Sequence, residues 1–227
     1  MSKRENPERI ERLGAAGFSL VELMTVVAIT AILLGLALVA YDAVGRRGAL
    51  QNAAFELQAV LNQARSRAAS RSHPVWVIFH PKAGRTTPDA GEGAYLVLED
   101  VEHQYSRAPM FALGQPLETS DQVSAVYFLE DYGGGGQVRF GALNPGSSAG
   151  FKAPFTGLEA QACGFCSGDP PLGAVVFFPN GSARFVDGSG VFLTSPNQSL
   201  AFRNQEGTGE YLFAISGPAA YIAAFSP

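Results

Sequence analysis

An apolar run near the beginning of the chain restricts the fold more than any other feature of the sequence. Residues 18–40 read FSLVELMTVVAITAILLGLALVA and carry a single charged side chain, that of Glu22. A run of this length is enough to cross the hydrocarbon core of a bilayer as a helix. Four basic side chains lie within residues 1–17. The positive-inside rule therefore predicts that this end faces the cytoplasm and that the bulk of the chain lies across the membrane.

Two ordinary explanations of the apolar run leave something unexplained. A secretory signal peptide has an apolar core of roughly 7–15 residues, which is shorter than this run. The small residues Gly35 and Ala37 nevertheless keep a cut after Ala37 open as an alternative. A plain membrane anchor gives no reason for Glu22, because an acidic side chain inside a membrane helix costs about 2.5 kcal/mol or more. Such a residue indicates a partner for its charge.

The residues around Glu22 resemble a known signature. The segment GFSLVEL, residues 17–23, is similar to the N-terminal motif of type IV pilins and type II pseudopilins. The resemblance implies that a prepilin peptidase cuts after Gly17 and methylates the new amino-terminal Phe18. It also implies that the apolar helix stays on the mature protein, where Glu22 neutralises the Phe18 amine of a neighbouring subunit. A pair of this kind makes helix packing specific in register.

The second part of the helix is predicted from its period. Between residues 50 and 68, apolar or small residues recur every three or four positions and form one helical face. Gly45 and Gly48 mark a weak point before this half, and Pro74 predicts a helix end near residues 71–73. Phe55 lies about 140° around the helix from Leu50, and so it is off the stripe. We expect a loop of the same head to cover it, and contact with a neighbouring subunit is the alternative. The stripe consists of Leu50, Ala54, Leu57, Leu61, Ala64 and Ala68.

The rest of the chain is predicted to be a β-rich head. Glycine and proline separate short β-like runs, Asn180-Gly181 indicates a tight hairpin, and residues 82–93 and 144–172 are loop-rich. The fold class is therefore α+β, and the resemblance implies the type IV pilin fold, with a long N-terminal helix packed on antiparallel strands. We expect a cleaved leader at 1–17, a transmembrane and filament-core helix at 18–45, its amphipathic half at 46–73 and the head at 74–227. The β-like runs are 75–80, 94–99, 124–130, 137–143, 173–178, 182–186, 190–194, 199–203, 210–215 and 219–225.

Two further segments resemble one branch of the pilin family. Residues 57–79 and 174–185 are similar to the helix exit and the hairpin of GspH/FimT proteins, although the basic tail common in that branch is missing. The resemblance implies a FimU-like minor pilin that primes a type IV pilus near its tip, or a GspH-like minor pseudopilin of a type II secretion system. It implies a single-pass inner-membrane protein with a periplasmic head. The implied partners are other minor pilins, the major pilin, a PilY-type tip adhesin, the prepilin peptidase and the inner-membrane assembly platform.

Few residues suggest chemistry. Cys163 and Cys166 lie in a Gly/Pro-rich loop, where an oxidising compartment favours a disulfide, with free thiols as the alternative. A zinc site would need four ligands, and the histidines at 73, 80 and 103 lack metal-ligand spacing. Glu99 and Asp100 are expected at a solvated strand edge. We therefore expect no catalytic residue, no metal and no cofactor, and the chain is not expected to be an enzyme.

The alternative from another class is a module that captures DNA for uptake. The whole chain has 16 basic and 20 acidic side chains, and the leader carries four of the basic and three of the acidic ones. The mature chain therefore has 12 basic and 17 acidic side chains and a net charge of −5. Arg65, Arg67 and Arg71 form the clearest basic cluster. Because phosphate binding needs a dense positive patch, we do not expect nucleic acid as a partner.

Overall fold

The computed structural model describes residues 19–87, 89–101, 123–133 and 137–226. Contacts divide the chain into two compact units, Met1–Asp42 and Ala43–Pro227. Helix α1 spans Leu20–Arg71, and so it begins in the first unit and ends in the second. It continues as helix through Gly45 and Gly48, and it ends at the position predicted from Pro74.

The first unit holds the start of α1. Ser19 caps this helix, because its Oγ accepts a hydrogen bond from the Glu22 N–H at 3.2 Å and its carbonyl accepts one from Leu23 N–H at 3.1 Å. The apolar segment Leu20–Leu38 has a mean hydropathy of 2.4, and none of it is buried. It is the one described helix that is long enough and apolar enough to cross a membrane.

The second unit combines the rest of α1 with two antiparallel sheets. The first sheet has the order β3-β2-β1-β5-β6 and the second has the order β4-β7-β8-β9. A single 3₁₀ turn, Leu129–Asp131, follows β3. The strands are β1 (Val75–His80), β2 (Ala94–Glu99), β3 (Val123–Phe128), β4 (Val138–Phe140), β5 (Gly173–Phe177), β6 (Ala183–Asp187), β7 (Asn197–Asn204), β8 (Glu210–Ser216) and β9 (Tyr221–Phe225). The α+β fold expected from the sequence is confirmed, with an apolar helix followed by a helix and antiparallel sheets in a globular head.

The main core lies between α1 and the inner faces of both sheets. Every residue of the predicted helical stripe is buried, so that prediction is confirmed. Several of the buried helix residues are alanines, which let the helix backbone approach the sheets closely. Large aromatic side chains from the strands, such as Phe79, Phe202 and Phe213, fill the remaining space and are fully buried. Aromatic rings dominate the apolar area that such a core removes from water.

The outer face of the second sheet carries a core of its own. Residues 144–172 were predicted to be loop-rich, and part of this segment, residues 151–160, covers this face. Phe151, Phe155 and Ala160 are buried there against Leu212 and Ala214 of β8. Backbone hydrogen bonds between residues 146–147 and 160, at 2.8–2.9 Å, close the segment on itself. The segment is therefore packed against the head.

One predicted strand is wrong. Residues 190–194 form an isolated bridge, Val186 with Phe192, and no strand. The Asp187 side chain explains the difference, because its carboxylate accepts hydrogen bonds from the N–H groups of Ser189 and Val191, both at 2.9 Å. Those donors are then unavailable for a ladder. The other nine predicted runs each overlap a strand, and the Asn180-Gly181 hairpin joins β5 to β6 with Gly181 at φ +82°.

Candidate functional site

Glu22 is the group that sets the start of α1 apart from an ordinary apolar helix. It lies in the first turn with its side chain exposed. The segment Leu20–Leu38 contains two other polar residues, Thr25 and Thr30. Both hydroxyls donate to carbonyls one turn earlier at 2.9 Å, so the helix itself satisfies them.

The Glu22 carboxylate, unlike the two threonine hydroxyls, is not satisfied by the carbonyl groups of the helix, because a carboxylate only accepts hydrogen bonds. Among residues 19–87, 89–101, 123–133 and 137–226, no side chain pairs with it. The positive end of the helix dipole favours an acidic group in the first turn, but by only about 0.3–1 kcal/mol. A charged side chain at the centre of a membrane helix costs about 2.5 kcal/mol or more, and the dipole term offsets only part of such a cost. The arrangement therefore suits a cationic partner from another source.

The comparison with known families bears on this part of the chain. The family description "Prokaryotic N-terminal methylation motif" matches residues 12–38. The motif indicates a type IV pilin-like or pseudopilin protein. The match includes Gly17 and Phe18, the predicted cleavage and methylation positions, which lie outside the described residues, and it includes Glu22. Neither a curated protein nor a solved structure matches the chain.

The polar residues of the head form a structural cluster at the end of α1. Glu99, at the end of β2, accepts from Arg71 at 2.5 Å, Arg67 at 3.3 Å and His73 at 3.2 Å, and its side chain is 12% exposed. Burial by itself raises the pKa of Glu99. The hydrogen bonds from Arg71 and His73 and the charges of Arg71 and Arg67 outweigh that effect, so the pKa lies below its ordinary value of 4.5.

This cluster corrects one expectation and bears on another. The prediction of a solvated edge at Glu99 and Asp100 is wrong, since Asp100 is fully buried and Glu99 holds three partners. Two of the three arginines in the suspected basic cluster, Arg67 and Arg71, are committed to Glu99. The four-residue spacing of these arginines places them on one helix face. No local signal in the sequence identified which acid they would meet.

A second cluster contains tyrosines. The Tyr132 hydroxyl donates to the Glu56 carboxylate of α1, and Tyr95 stacks on Tyr127 with ring centroids 4.9 Å apart. Burial raises the pKa of Tyr95, and burial together with the Glu56 hydrogen bond raises the pKa of Tyr132. Both phenols therefore stay neutral, and Tyr132 acts through its hydrogen bond to Glu56 while Tyr95 acts through the packing of its ring. This arrangement anchors the helix to the first sheet.

The two histidines that the structure describes do not come together. His73 belongs to the Glu99 cluster, and His80 is 6% exposed at the end of β1. Burial lowers the pKa of His80 to about 4, so it is neutral at physiological pH. His103 lies outside the described residues. Among the described residues, no group of three or more histidine, cysteine or acidic side chains could hold a metal ion.

The two cysteines are joined in a disulfide, with their Cα atoms 5.3 Å apart. The turn that they close points into the main core. Phe165, between them, is 1% exposed, and its ring centroid lies 5.4 Å from that of Phe79 and 5.5 Å from that of Phe185. The Gly164 N–H donates to a β7 carbonyl at 2.8 Å. The disulfide therefore belongs to the packing of the head.

The surroundings of Phe55, in α1, differ from those predicted from the sequence. We expected a loop to cover it, and that expectation is wrong, because the side chain is 53% exposed. It makes an edge contact with Tyr211 of β8, with ring centroids 6.4 Å apart. The alternative, contact with a neighbouring subunit, stays a prediction.

Proposed function

We propose that the chain is a minor pilin-like subunit of the GspH/FimT branch, similar to FimU, which helps to prime a type IV pilus and lies near its tip. The observation that carries the proposal is Glu22. It is an acidic side chain in the first turn of an exposed apolar helix, inside a match to the methylation motif, and no described side chain pairs with it. An isolated carboxylate there is costly. A subunit that leaves the bilayer and packs helix against helix gains a partner for it.

In this mechanism the peptidase cuts after Gly17 and methylates Phe18, and residues 1–17 are lost. Residues 18–45 hold the mature protein in the inner membrane as a single span, and they later join the filament core. The amine of Phe18 in one subunit then pairs with Glu22 of its neighbour. Charge pairing in a medium of low dielectric is strong, and a shift of register would leave both charges buried without a partner, which is costly. The pair therefore selects one axial register between largely apolar helices.

The amphipathic half of the helix, residues 46–73, and the head, residues 74–227, present docking surfaces in the periplasm. The proposed partners are other minor pilins, the major pilin, a PilY-type adhesin and the assembly platform. Support comes from the way the head uses its polar groups, since its charged and phenolic clusters hold α1 to the first sheet. Arg67 and Arg71 are engaged with Glu99, which favours this scaffold function over DNA capture.

Replacement of Glu22 tests the proposal. Glu22→Ala removes a charge from lipid, so we expect insertion and folding at least equal to wild type, and loss of co-purification with the other minor subunits. Thr25→Ala is the matched control, because it removes a polar group from the same segment that the helix already satisfies. Normal piliation and normal co-purification of the Glu22→Ala protein would refute the proposed function.

Mass spectrometry of membrane-extracted protein tests the processing step. We expect a mature chain that begins with methylated Phe18. An amino terminus at Leu38, left by a cut after Ala37, would instead establish a secreted protein without the apolar segment.

A GspH-like minor pseudopilin is the second candidate, because the matched motif indicates a pilin-like or a pseudopilin protein. Deletion of the gene separates the two. Loss of surface pili with normal protein secretion supports the pilus subunit, and the reverse supports the pseudopilin.

A further inference from the structure

Four strands form the edges of the two sheets: β3 and β6 in the first, β4 and β9 in the second. An edge strand presents unpaired N–H and C=O groups that can pair with another chain, and proteins usually cover or interrupt such edges. β3 begins directly after residues 102–122, which lie outside the described part. The other three edges can be compared.

The edge at β6 is closed by neighbouring loops. The Ala183 N–H donates to the Gly217 carbonyl at 2.6 Å, and the Leu193 N–H donates to the Phe185 carbonyl at 2.8 Å. Alternate residues of β6 therefore bond outward to loops, while the others pair with β5. No continuous row of free groups is left along this strand.

The edge at β4 is short and charged. The strand has three residues, its middle residue is Arg139, and the Phe140 N–H donates to the Glu92 carbonyl at 3.2 Å. A short strand, a charge and a covering loop are three of the devices that discourage strand addition. This edge therefore gives no site for another chain.

The edge at β9 has none of these devices. Its five residues, YIAAF, contain no charge and no proline, and all five pair with β8 on one side. In the described part of the chain, no hydrogen bond reaches its other side. Because antiparallel pairing uses alternate residues, roughly half of its backbone groups point to this open side.

Both faces of β9 continue the cores of the head. Ile222 and Ala224 face the main core, and Ala223 and Phe225 face the core beneath residues 144–172. Tyr221 is half-exposed and stacks on Phe155 with ring planes 3° apart. A strand added here would extend two apolar layers at once. The two alanines leave room beside them for larger side chains on that strand.

We propose that the open edge of β9 binds an extended, uncharged segment of another protein, which adds as a fifth strand of the second sheet. Its side chains opposite Ala223 and Ala224 are β-branched or aromatic, because these fill the space beside a small residue in a sheet. The inference rests on the proposed function in one respect, which is that another subunit of the assembly supplies the segment. Backbone pairing supplies the affinity, and the side chains supply the selection.

A second copy of this chain fits the same edge less well. Pairing β9 with β9 antiparallel places a two-fold axis perpendicular to the sheet. When that axis passes through the middle of the strand, Ala223 lies opposite Ala223 of the second copy, and the space beside these small residues stays unfilled. The edge therefore favours a segment with larger side chains over a second copy.

A backbone-modified peptide tests the proposal. The probe is Thr-Val-Ile-Val-Thr-amide with fluorescein attached to its amino terminus, and its binding to the full-length protein in nanodiscs is followed by fluorescence anisotropy. Two further peptides have the same side chains, and their backbone nitrogens are methylated at the odd residues in one peptide and at the even residues in the other. In an added strand, only the odd or only the even N–H groups point toward β9, so only one of the two peptides loses its hydrogen bonds to β9. We expect one methylated peptide to bind within about threefold of the parent and the other to lose about tenfold or more.

Equal binding of the two methylated peptides, or no binding of the parent, overturns the proposal. Ala223→Asp places a charge on the edge, and we expect it to weaken the parent peptide by about tenfold or more. Ser189→Asp, in the exposed turn after β6, is the control and leaves binding unchanged. An Ala223→Cys protein that forms a disulfide-linked homodimer would also overturn it, in favour of a second copy. Peptide binding tests β9, whereas incorporation of Glu22→Ala tests the proposed function, so either can fail alone.

Discussion

Two features hold the turn at residues 163–166 in place, the disulfide and the buried ring of Phe165, and their contributions to stability can be compared. The crosslink between Cys163 and Cys166 closes a loop of four residues. For a loop this short, the chain-entropy relation gives about 2 kcal/mol of stabilisation. Phe165 inside the loop is 1% exposed and lies between two other rings. Truncation of a buried phenylalanine costs about 3–5 kcal/mol. The buried ring should therefore contribute more than the covalent bond.

Thermal unfolding of the full-length protein, followed by circular dichroism, tests this order. For a unit of this size, 1 kcal/mol moves the Tm by about 2–4 °C. We expect the Cys163→Ser, Cys166→Ser double variant to keep its fold and to lose about 4–8 °C, and Phe165→Ala to lose roughly 6–20 °C. Phe55→Ala is the matched control, because the same truncation at a 53% exposed site should cost about 1 kcal/mol or less.

The reasoning is refuted if the double cysteine variant loses more stability than Phe165→Ala, or if it no longer unfolds cooperatively. Binding of partner subunits by the double cysteine variant provides a second measurement. A turn held in the core by Phe165 keeps its conformation without the disulfide. We therefore expect the double cysteine variant to retain partner binding at temperatures where it is folded.

The titratable groups of the head give two further predictions. The folded pKa of His80, about 4, lies below 6.5, so the unfolded chain binds a proton between these values while the folded chain does not. Stability is then full above about pH 6.5 and falls by about 2–3 kcal/mol by pH 4.5, and urea titrations of His80→Gln should show this slope reduced. The pKa of Glu99 is lowered, so its contribution is present above pH 4.5 and is lost as the pH falls through the lowered value. At pH 7, Glu99→Gln should cost about 1–2 kcal/mol of unfolding free energy, because its partners are partly exposed, whereas Asp131→Asn, in an exposed pair with Arg85, should cost about 0.5 kcal/mol or less.

Local periodicity was sufficient to predict the elements of the head. The buried face of α1 repeats every three to four residues, and the helix ends where Pro74 excludes its continuation. The apolar runs of nine strands are bounded by glycine, proline and polar residues. These signals act over a few residues and do not depend on the rest of the chain. The one strand that failed, at residues 190–194, is opposed by a side-chain contact that is itself local, from Asp187.

Long-range placement could not be predicted in the same way. The division into two sheets depends on pairings such as β4 with β7, which join residues more than 60 positions apart. Glu99 meets Arg71 across 28 residues, and Tyr132 meets Glu56 across 76. Alternation shows which face of a strand is apolar, but it does not identify the element that covers that face. For the same reason, the packing of residues 144–172 on the second sheet was not expected.

Two apolar features of the chain are costly to the isolated subunit. The exposed helix Leu20–Leu38 needs lipid or other helices around it, and Glu22 makes lipid the less favourable of the two. The open edge of β9 leaves backbone groups without partners among the described residues, and water can satisfy them only while the strand stays exposed. In the proposed function both features act in the same direction, because each loses its cost when another subunit binds. The helix contact selects the axial register through one charge pair, whereas the strand contact selects a particular partner through side chains beside Ala223 and Ala224. A low-copy subunit needs both properties, since a helix contact alone would accept any subunit with the same N-terminal motif.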